Sequence, residues 1–274
     1  MEPLVTVLMP VYNGRKYLKE AIESILNQTY KNIDFLIIDD GSTDDSVKVV
    51  MSYNDSRIKL VKNEQNIGLT AILNKGVELS NGQYIARMDA DDISASDRLE
   101  KQVNYLEQHP DVCMVDSIME LMDAQGNSLN KYNSDVISEK DIRNSLPKNN
   151  YLGHSSIMIR AGIMRKYKYR TTEAEDYDLW LQLANDNYII HKIDEPLLLY
   201  RLHGSSYTDN HGRKQSRGTL RLAITKYLYL TKLPFKKRFT LFNIKVLYYT
   251  ILQYIIGYIK YAVNYNNLIK NRRS

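Results

Sequence analysis

The sequence predicts an α/β fold on a mixed, mainly parallel sheet, followed by a helical C-terminal extension. Three observations predict it. Short, β-rich apolar runs alternate with helix-period segments over residues 5–108. Acidic clusters directly follow two of those runs, at Asp39-Asp40-Gly41-Ser42-Thr43-Asp44 and Asp89-Ala90-Asp91-Asp92. Charge then divides the chain at residue 209. The 65 residues 210–274 hold 14 of the 37 Lys and Arg and no Asp or Glu, leaving 23 basic against 32 acidic residues before them. We therefore expect an acidic body, 1–209, and a basic extension, 210–274, with separate tasks.

The elements follow in order. Val5-Thr6-Val7-Leu8-Met9, closed by Pro10, reads as a first buried strand, and Tyr12-Asn13-Gly14 as a turn. Leu18, Ala21, Ile22, Ile25 and Leu26 fall at helical spacing within 17–28. Phe35 to Ile38 is the second strand, and Thr43-Asp44-Asp45 can cap a helix through Val47, Val49, Val50 and Met51. Ile58 to Val61 is a third strand, 69–79 a helix closed by Ser80-Asn81-Gly82, and Tyr84 to Met88 a fourth strand. Short links between strands and helices imply right-handed crossovers and a parallel sheet. Beyond that, 97–108 reads as a helix, 112–122 as a strand, 123–127 as a turn, Ile157-Met158-Ile159 as a strand and 176–185 as an amphipathic helix carrying the single Trp180.

In open α/β sheets ligands bind beyond the carboxyl ends of the strands, where both acidic clusters fall. Carboxylates one residue apart can hold a hard divalent cation, and that cation a diphosphate. Asp91 is the expected direct ligand, and Asp89 a metal or ribose contact. Asp40, acceptor-only when ionised, can take hydrogen bonds from a base or ribose. Asp44 and Asp92 can equally be helix caps. A second constellation, Glu173-Ala174-Glu175-Asp176-Tyr177-Asp178-Leu179-Trp180, packs four acids into six residues. Mutual repulsion raises at least one pKa, which suits a general base, although acids also favour a helix N-terminus for its dipole. His154, His203 and His211 lie beside turn residues; a metal or phosphate contact from His203 is the functional reading.

Together these residues resemble the family-two glycosyltransferases, nucleotide-sugar-dependent inverting enzymes of GT-A (Rossmann-like) fold. Six segments match in chain order, spanning about residues 4–208: Val5 to Asn13, Asp39 to Asp44, Asn66-Ile67-Gly68-Leu69 with Asn74-Lys75-Gly76, Asp89-Ala90-Asp91-Asp92, Glu175 to Trp180, and Tyr200-Arg201-Leu202-His203-Gly204-Ser205-Ser206. The resemblance implies an acceptor hydroxyl attacking the anomeric carbon opposite the diphosphate. Asp176 would be the base, with Glu173, Glu175 and Asp178 as rivals. Asp91 and Asp89, the DXD motif, would hold Mn²⁺ or Mg²⁺. Pro10, Tyr12, Asp40 and Asn66 would line the nucleotide, uracil being the expected base, and Arg201 and His203 would hold the phosphates. His154, Glu175 and Trp180 would lie on the acceptor side. The implied acceptor is a saccharide or lipid-linked hydroxyl in cell-surface polysaccharide synthesis. A sugar nucleotidyltransferase would be expected to carry a Gly-rich basic phosphate loop, and Asn13-Gly14-Arg15-Lys16 lacks the further glycines. A non-catalytic sugar- or nucleic-acid-binding scaffold is the remaining alternative.

In the extension only 14 residues, Val246 to Ile259, separate Lys245 from Lys260, short of the roughly 20 apolar residues that span a bilayer. Tyr248, Tyr249, Tyr254, Tyr258 and Tyr261 suit an interface. We expect amphipathic helices on an anionic membrane surface rather than on nucleic acid, with a packed extension or homodimer interface as the alternative. Met1-Glu2-Pro3-Leu4-Val5 lacks a basic segment followed by a long apolar stretch, and Cys113 is the lone cysteine. Both point to a cytoplasmic address, peripheral on the inner membrane face.

Overall fold

The computed structural model describes residues 2–132, 139–170, 174–203, 223–224, 226–227, 229–233 and 240–270. Four parallel strands open it: β1 (Val5–Val11), β2 (Ile33–Asp39), β3 (Ile58–Lys62) and β4 (Tyr84–Arg87). They lie in the order β3-β2-β1-β4, so β1 separates the two strands that end in acids. The helices between them are α1 (Arg15–Leu26), α2 (Ser46–Met51) and α3 (Leu69–Leu79).

Side-chain alternation along β1 divides the core. Val5, Val7, Met9 and Val11 face a cluster with Leu18, Ile22 and Ile25 of α1, whereas Leu8 faces Ile72, Leu73 and Val77 of α3. A strand buried on both faces reads as a continuous apolar run, which is why the pattern was legible. Gly76 lets α3 lie close on β1, for a Cβ there would sit 2.3 Å from Leu8 Cδ1. Pro10 fits inside the strand because Leu8 bonds toward β4 through its carbonyl. Pro10, two residues on, faces the same side where β4 has ended, and its missing N–H takes nothing from the ladder.

The second half of the sheet is mixed. β5 (Ile93–Ser94), α4 (Arg98–Gln108), β6 (Val112–Met122), β7 (Ser128–Tyr132), α5 (Glu139–Ser145), β8 (Met158–Arg160), α6 (Ala161–Tyr167), α7 (Glu175–Asn185) and β9 (Ile189–Arg201) follow. The order continues β4-β8-β6-β9-β5, with β7 on β6. β8 runs antiparallel to both β4 and β6, while β6 and β9 are parallel. The sequence reading assigned no strand to 189–201. Asp194, Glu195 and Pro196 interrupt its alternation, and there the pairing with β6 shifts register. β9 nonetheless matters most for the site, because it returns the chain to the acidic edge.

The described residues between 223 and 231 are helical, and α8 (Leu241–Lys270) closes the chain. Ala223, Tyr229, Leu233 and Val246 are buried; the last three join the apolar cluster of α3 and α7.

Candidate active site

Because β2 and β4 flank β1 and run parallel to it, both acidic clusters stand at one edge of the sheet. The turn after β1 ties them together. Asn13 donates its N–H to Ser42 Oγ at 2.9 Å and accepts the Thr43 N–H at 2.9 Å. A Cβ on Gly14 would lie 3.5 Å from that of Ala90. Tyr12 stands beside this turn, half exposed.

On the β2 side, Asp40 holds the loop before α3. Its Oδ1 accepts from Asn63 Nδ2 (2.8 Å) and the Ile67 N–H (3.0 Å), and its Oδ2 from the Gly68 N–H (2.9 Å). Asn66 is exposed in that loop. Gly41 is required beside it: φ is +73°, and a Cβ would lie 2.7 Å from the Gln65 carbonyl carbon. Asp39 accepts the Ser42 N–H at 3.1 Å through Oδ2, and its buried Oδ1 has no hydrogen-bond partner among the described residues. Asp44 is not the N-cap residue of α2, which is Asp45; it accepts the Ser46 N–H at 2.9 Å and the Arg15 N–H at 3.1 Å, the first N–H of α2 and of α1.

On the β4 side, ligand oxygens of Asp89, Asp91 and Asp92 lie within 4.8 Å of one another. Asp89 pairs with the buried Arg87, two residues earlier in the strand. Asp92 Oδ1 accepts the Arg201 N–H at 3.0 Å, while its buried Oδ2 has no hydrogen-bond partner among the described residues. Burial, then Asp89 and Asp91, push the Asp92 carboxyl well above the usual carboxylate range. Burial also raises Asp89; Arg87 opposes this, and Asp91 and Asp176 add to it. Three crowded carboxylates with a spare buried oxygen fit a hard divalent cation such as Mg²⁺ or Mn²⁺, whose charge would reverse that destabilisation.

The end of β9 closes over this cluster. His203 Nε2 meets Asp91 Oδ2 at 2.7 Å, and its ring packs on Tyr17 with centroids 4.8 Å apart. Arg201 is buried over the same tyrosine, donating to the Asp91 carbonyl at 2.8 Å and to Glu20 Oε2 at 2.6 Å. Arg201 and His203 lie more than a hundred residues from Asp91 and Asp92, which they meet; the sequence marks His203 by its place beside a turn, and Arg201 only by resemblance to a terminal motif. Nothing in the spacing marks Glu20 or Tyr17 as site residues; Arg87, a cation inside an apolar strand two residues before Asp89, is the one signal the sequence carries. Gly204, Ser205 and Ser206, with His211, lie outside the described residues.

The third group stands at the start of α7, where it separates acids that the sequence left equivalent. Asp178 is fully buried and paired with Arg170, whose Nε donates at 2.6 Å. Glu175 is largely buried, 3.7 Å from His154 Nδ1. His154 Nε2 meets the Tyr169 hydroxyl at 2.7 Å, and its ring stands edge-on to buried Trp180. Burial, helped by Arg87, keeps the His154 imidazole neutral by drawing its pKa well below the ordinary value. Asp176 remains half-buried, accepts from Asn150 Nδ2 at 3.0 Å, and lies near enough for its charge to act on Asp89. Glu173 lies outside the described residues. Behind this group the buried ion pair Lys192–Asp116, at 3.1 Å, holds the segment carrying His154, through Tyr151 O and the Gly153 N–H.

Comparison with known proteins decides what this edge belongs to. The sequence profile described as Glycosyl transferase family 2 matches residues 6–168, more than half of the chain. The chain belongs to glycosyl transferase family 2. An uncharacterized glycosyltransferase of Methanocaldococcus jannaschii is 35% identical over 262 residues, covering 93% of this chain and 88% of that protein. An Escherichia coli relative, UDP-Glc:alpha-D-GlcNAc-diphosphoundecaprenol beta-1,3-glucosyltransferase WfgD, is 31% identical over 68% of this chain and 72% of its own. Among solved structures, the mannosyltransferase PcManGT of Pyrobaculum calidifontis, in complex with GDP-Man and Mn²⁺, superposes with a TM-score of 0.65 at 17% identity, covering 98% of this chain and 81% of that one. S. aureus TarS in complex with UDP-GlcNAc gives 0.67 at 15% identity, over 85% and 68%. These likenesses establish the GT-A fold, and the family makes the protein a glycosyltransferase.

Proposed function

We propose that this glycosyltransferase moves a hexosyl or N-acetylhexosaminyl group, with inversion, from a nucleotide-diphosphate sugar to a hydroxyl of a saccharide or lipid-linked acceptor. UDP is the favoured nucleotide, and cell-surface polysaccharide the favoured product. One observation carries the reading. Asp176, half-buried at the start of α7, lies close enough to the Asp89–Asp91–Asp92 cluster for its charge to act on Asp89, whereas Asp178 is buried against Arg170 and Glu175 lies by His154.

Asp176 takes the proton from the acceptor hydroxyl as its oxygen attacks the anomeric carbon, and the bond to the diphosphate oxygen breaks on the opposite face. Asn150 orients that carboxylate. Mn²⁺ or Mg²⁺, held by Asp91 with Asp89, would supply Lewis-acid stabilisation of the leaving diphosphate. His203 and Arg201 fix the geometry of Asp91 and Asp92 and set the phosphate side of the cleft. Asp40 shapes the nucleotide side by holding the 63–68 loop together with Pro10, Tyr12 and Asn66. Neutral His154 and Glu175 flank the acceptor side, and buried Trp180 backs His154 there. The relatives support this choice: WfgD is named for UDP-Glc and a diphosphoundecaprenol acceptor, and TuaG of Bacillus subtilis, 30% identical over 214 residues, for teichuronic acid biosynthesis. The test is a donor panel of UDP-, GDP- and dTDP-sugars with Mn²⁺, following nucleotide release. We expect slow hydrolysis of a UDP-sugar; release from none of them would overturn the reading.

The extension gives the enzyme its working place, an anionic membrane surface on the cytoplasmic side. α8 turns its more polar face inward, with Asn243 and Thr250 buried and Gln253 half-buried. Leu241, Tyr248, Ile251 and Tyr254 point outward, 71%, 61%, 53% and 59% exposed. An outward apolar stripe on a basic segment suits a headgroup boundary, each basic residue adding about 1 kcal/mol near anionic lipid. No helix among the described residues is long and apolar enough to cross a membrane. The intact protein is expected to co-sediment with phosphatidylglycerol vesicles at low salt and to be released at high salt. Failure to co-sediment would remove this assignment.

A further inference from the structure

Lys226 belongs to neither the cleft nor the exposed stripe, yet it is buried where the C-terminal extension meets the body. Its Nζ donates to the Lys148 carbonyl at 2.9 Å and to Gln253 Oε1 of α8 at 2.8 Å. Gln253 Nε2 donates to the same Lys148 carbonyl at 2.8 Å. The ammonium also stands 5.9 Å from the ring centres of Tyr177 and Tyr249. Lys226 thus touches both flanks of one hydrogen bond. Lys148 precedes Asn150 by two residues, and Tyr177 follows Asp176 by one; Asn150 donates to Asp176. Tyr177 in turn donates to the Leu146 carbonyl, tying α7 to the same segment.

The opposite side of that segment is anchored separately, by Lys192 on the Tyr151 carbonyl and by the Leu152 N–H on Asn150 Oδ1. Residues 148–152 are therefore clamped between the sheet and the extension. Without Lys226 and Gln253 the Lys148 carbonyl loses both side-chain donors, and this side of Asn150 keeps, among the described residues, only the Lys148 and Asn149 N–H groups on the Ser145 carbonyl, at 2.8 and 3.1 Å, and the Tyr177 tie at Leu146. Burying an ammonium here has a cost: burial draws the Lys226 pKa down to about 7. An apolar side chain would pack Tyr177 and Tyr249 without that cost, so the lysine's contribution lies in the direction it imposes on a backbone carbonyl.

We propose that the C-terminal extension is a positioning device for the proton-accepting carboxylate: Lys226 and Gln253 lock the Lys148 carbonyl so that Asn150 holds Asp176 toward the acceptor. Lys226 and Gln253 touch no substrate and act through Asn150. The inference rests on the assignment of Asp176 as base, and it makes activity depend on a segment beyond the 6–168 family match.

The test is a double-mutant cycle in the full-length protein, with Lys226→Met, Asn150→Ala and both together. It uses the UDP-sugar that responds in the donor panel and Mn²⁺. Each single variant is expected to lower kcat about tenfold with donor KM within about twofold of wild type, and the double to fall no further than Asn150→Ala alone. Multiplying effects, or a wild-type kcat in Lys226→Met, would overturn the proposal. Gln253→Ala removes a donor from the same carbonyl and serves if Lys226→Met does not fold; its expected effect is a smaller fall, again absent on the Asn150→Ala background. Hydrogen exchange gives a readout independent of turnover. Peptides covering 146–153 are expected to exchange about tenfold faster in Lys226→Met, while those covering 5–40 do not change. Unchanged exchange at 146–153 would refute the clamp. If Asp176→Asn keeps the wild-type rate while exchange still responds, the base assignment fails and the mechanical link survives.

Discussion

Asp176→Asn is expected to lower the transfer rate about a hundred- to ten-thousandfold with little change in melting temperature. The amide keeps the shape and still accepts from Asn150, but it cannot take a proton. Asp178→Asn should give the opposite outcome. Its carboxylate is fully buried against Arg170 and Gln182, so the amide leaves a cation poorly matched. A loss of about 3 kcal/mol is expected, at the low end for a broken interior pair because Arg170 is partly exposed. Steady-state rates and thermal melts on the two variants separate the roles. A stable, fully active Asp176→Asn protein would transfer the role of base to another carboxylate.

Asp91→Asn is expected to cost about a hundredfold or more in kcat and to abolish the dependence of rate on added Mn²⁺. Stabilising a developing diphosphate charge contributes several kcal/mol, and each 1.36 kcal/mol is tenfold in rate. The replacement is gentle structurally: Asp91 is part-exposed, and its neighbour His203 can hydrogen-bond an amide in either tautomer. Titrating Mn²⁺ against rate, with binding followed separately by calorimetry, checks both halves. Turnover at the wild-type rate, still saturable by Mn²⁺, would show that Asp91 does not hold the cation.

How much of this was legible beforehand follows from where each signal lies. β1, β2 and β4 announce themselves because strands buried on both faces are largely apolar, and the acids after β2 and β4 stand out against them; β3, half-buried at the edge, shows only its alternation. β9 did not announce itself. Asp194, Glu195 and Pro196 break its alternation, and its pairing with β6 slips at that point. The convergence of Arg201 and His203 on Asp91 and Asp92 is set by that return strand, so spacing alone could not reveal it. The acids from Glu175 to Asp178 present the same difficulty in miniature. A helix sends neighbouring residues to different sides, and only the packing shows that Asp178 faces Arg170, Glu175 faces His154 and Asp176 faces Asn150. Asn150 and Arg170, the partners that sort them, occupy sequence with no motif of its own.

The reversed polarity of α8 bears on how the protein can be handled. Deleting the helix would strip Tyr229 and the Asn185 end of α7 of their partner Asn243 and remove Val246 from the apolar cluster, exchanging one sticky surface for another. Better behaviour in detergent-free buffer should come instead from repainting the outer stripe, at Leu241, Ile244, Ile251 and Ile255, with glutamine or serine, while Val246, Thr250 and Gln253 are left alone.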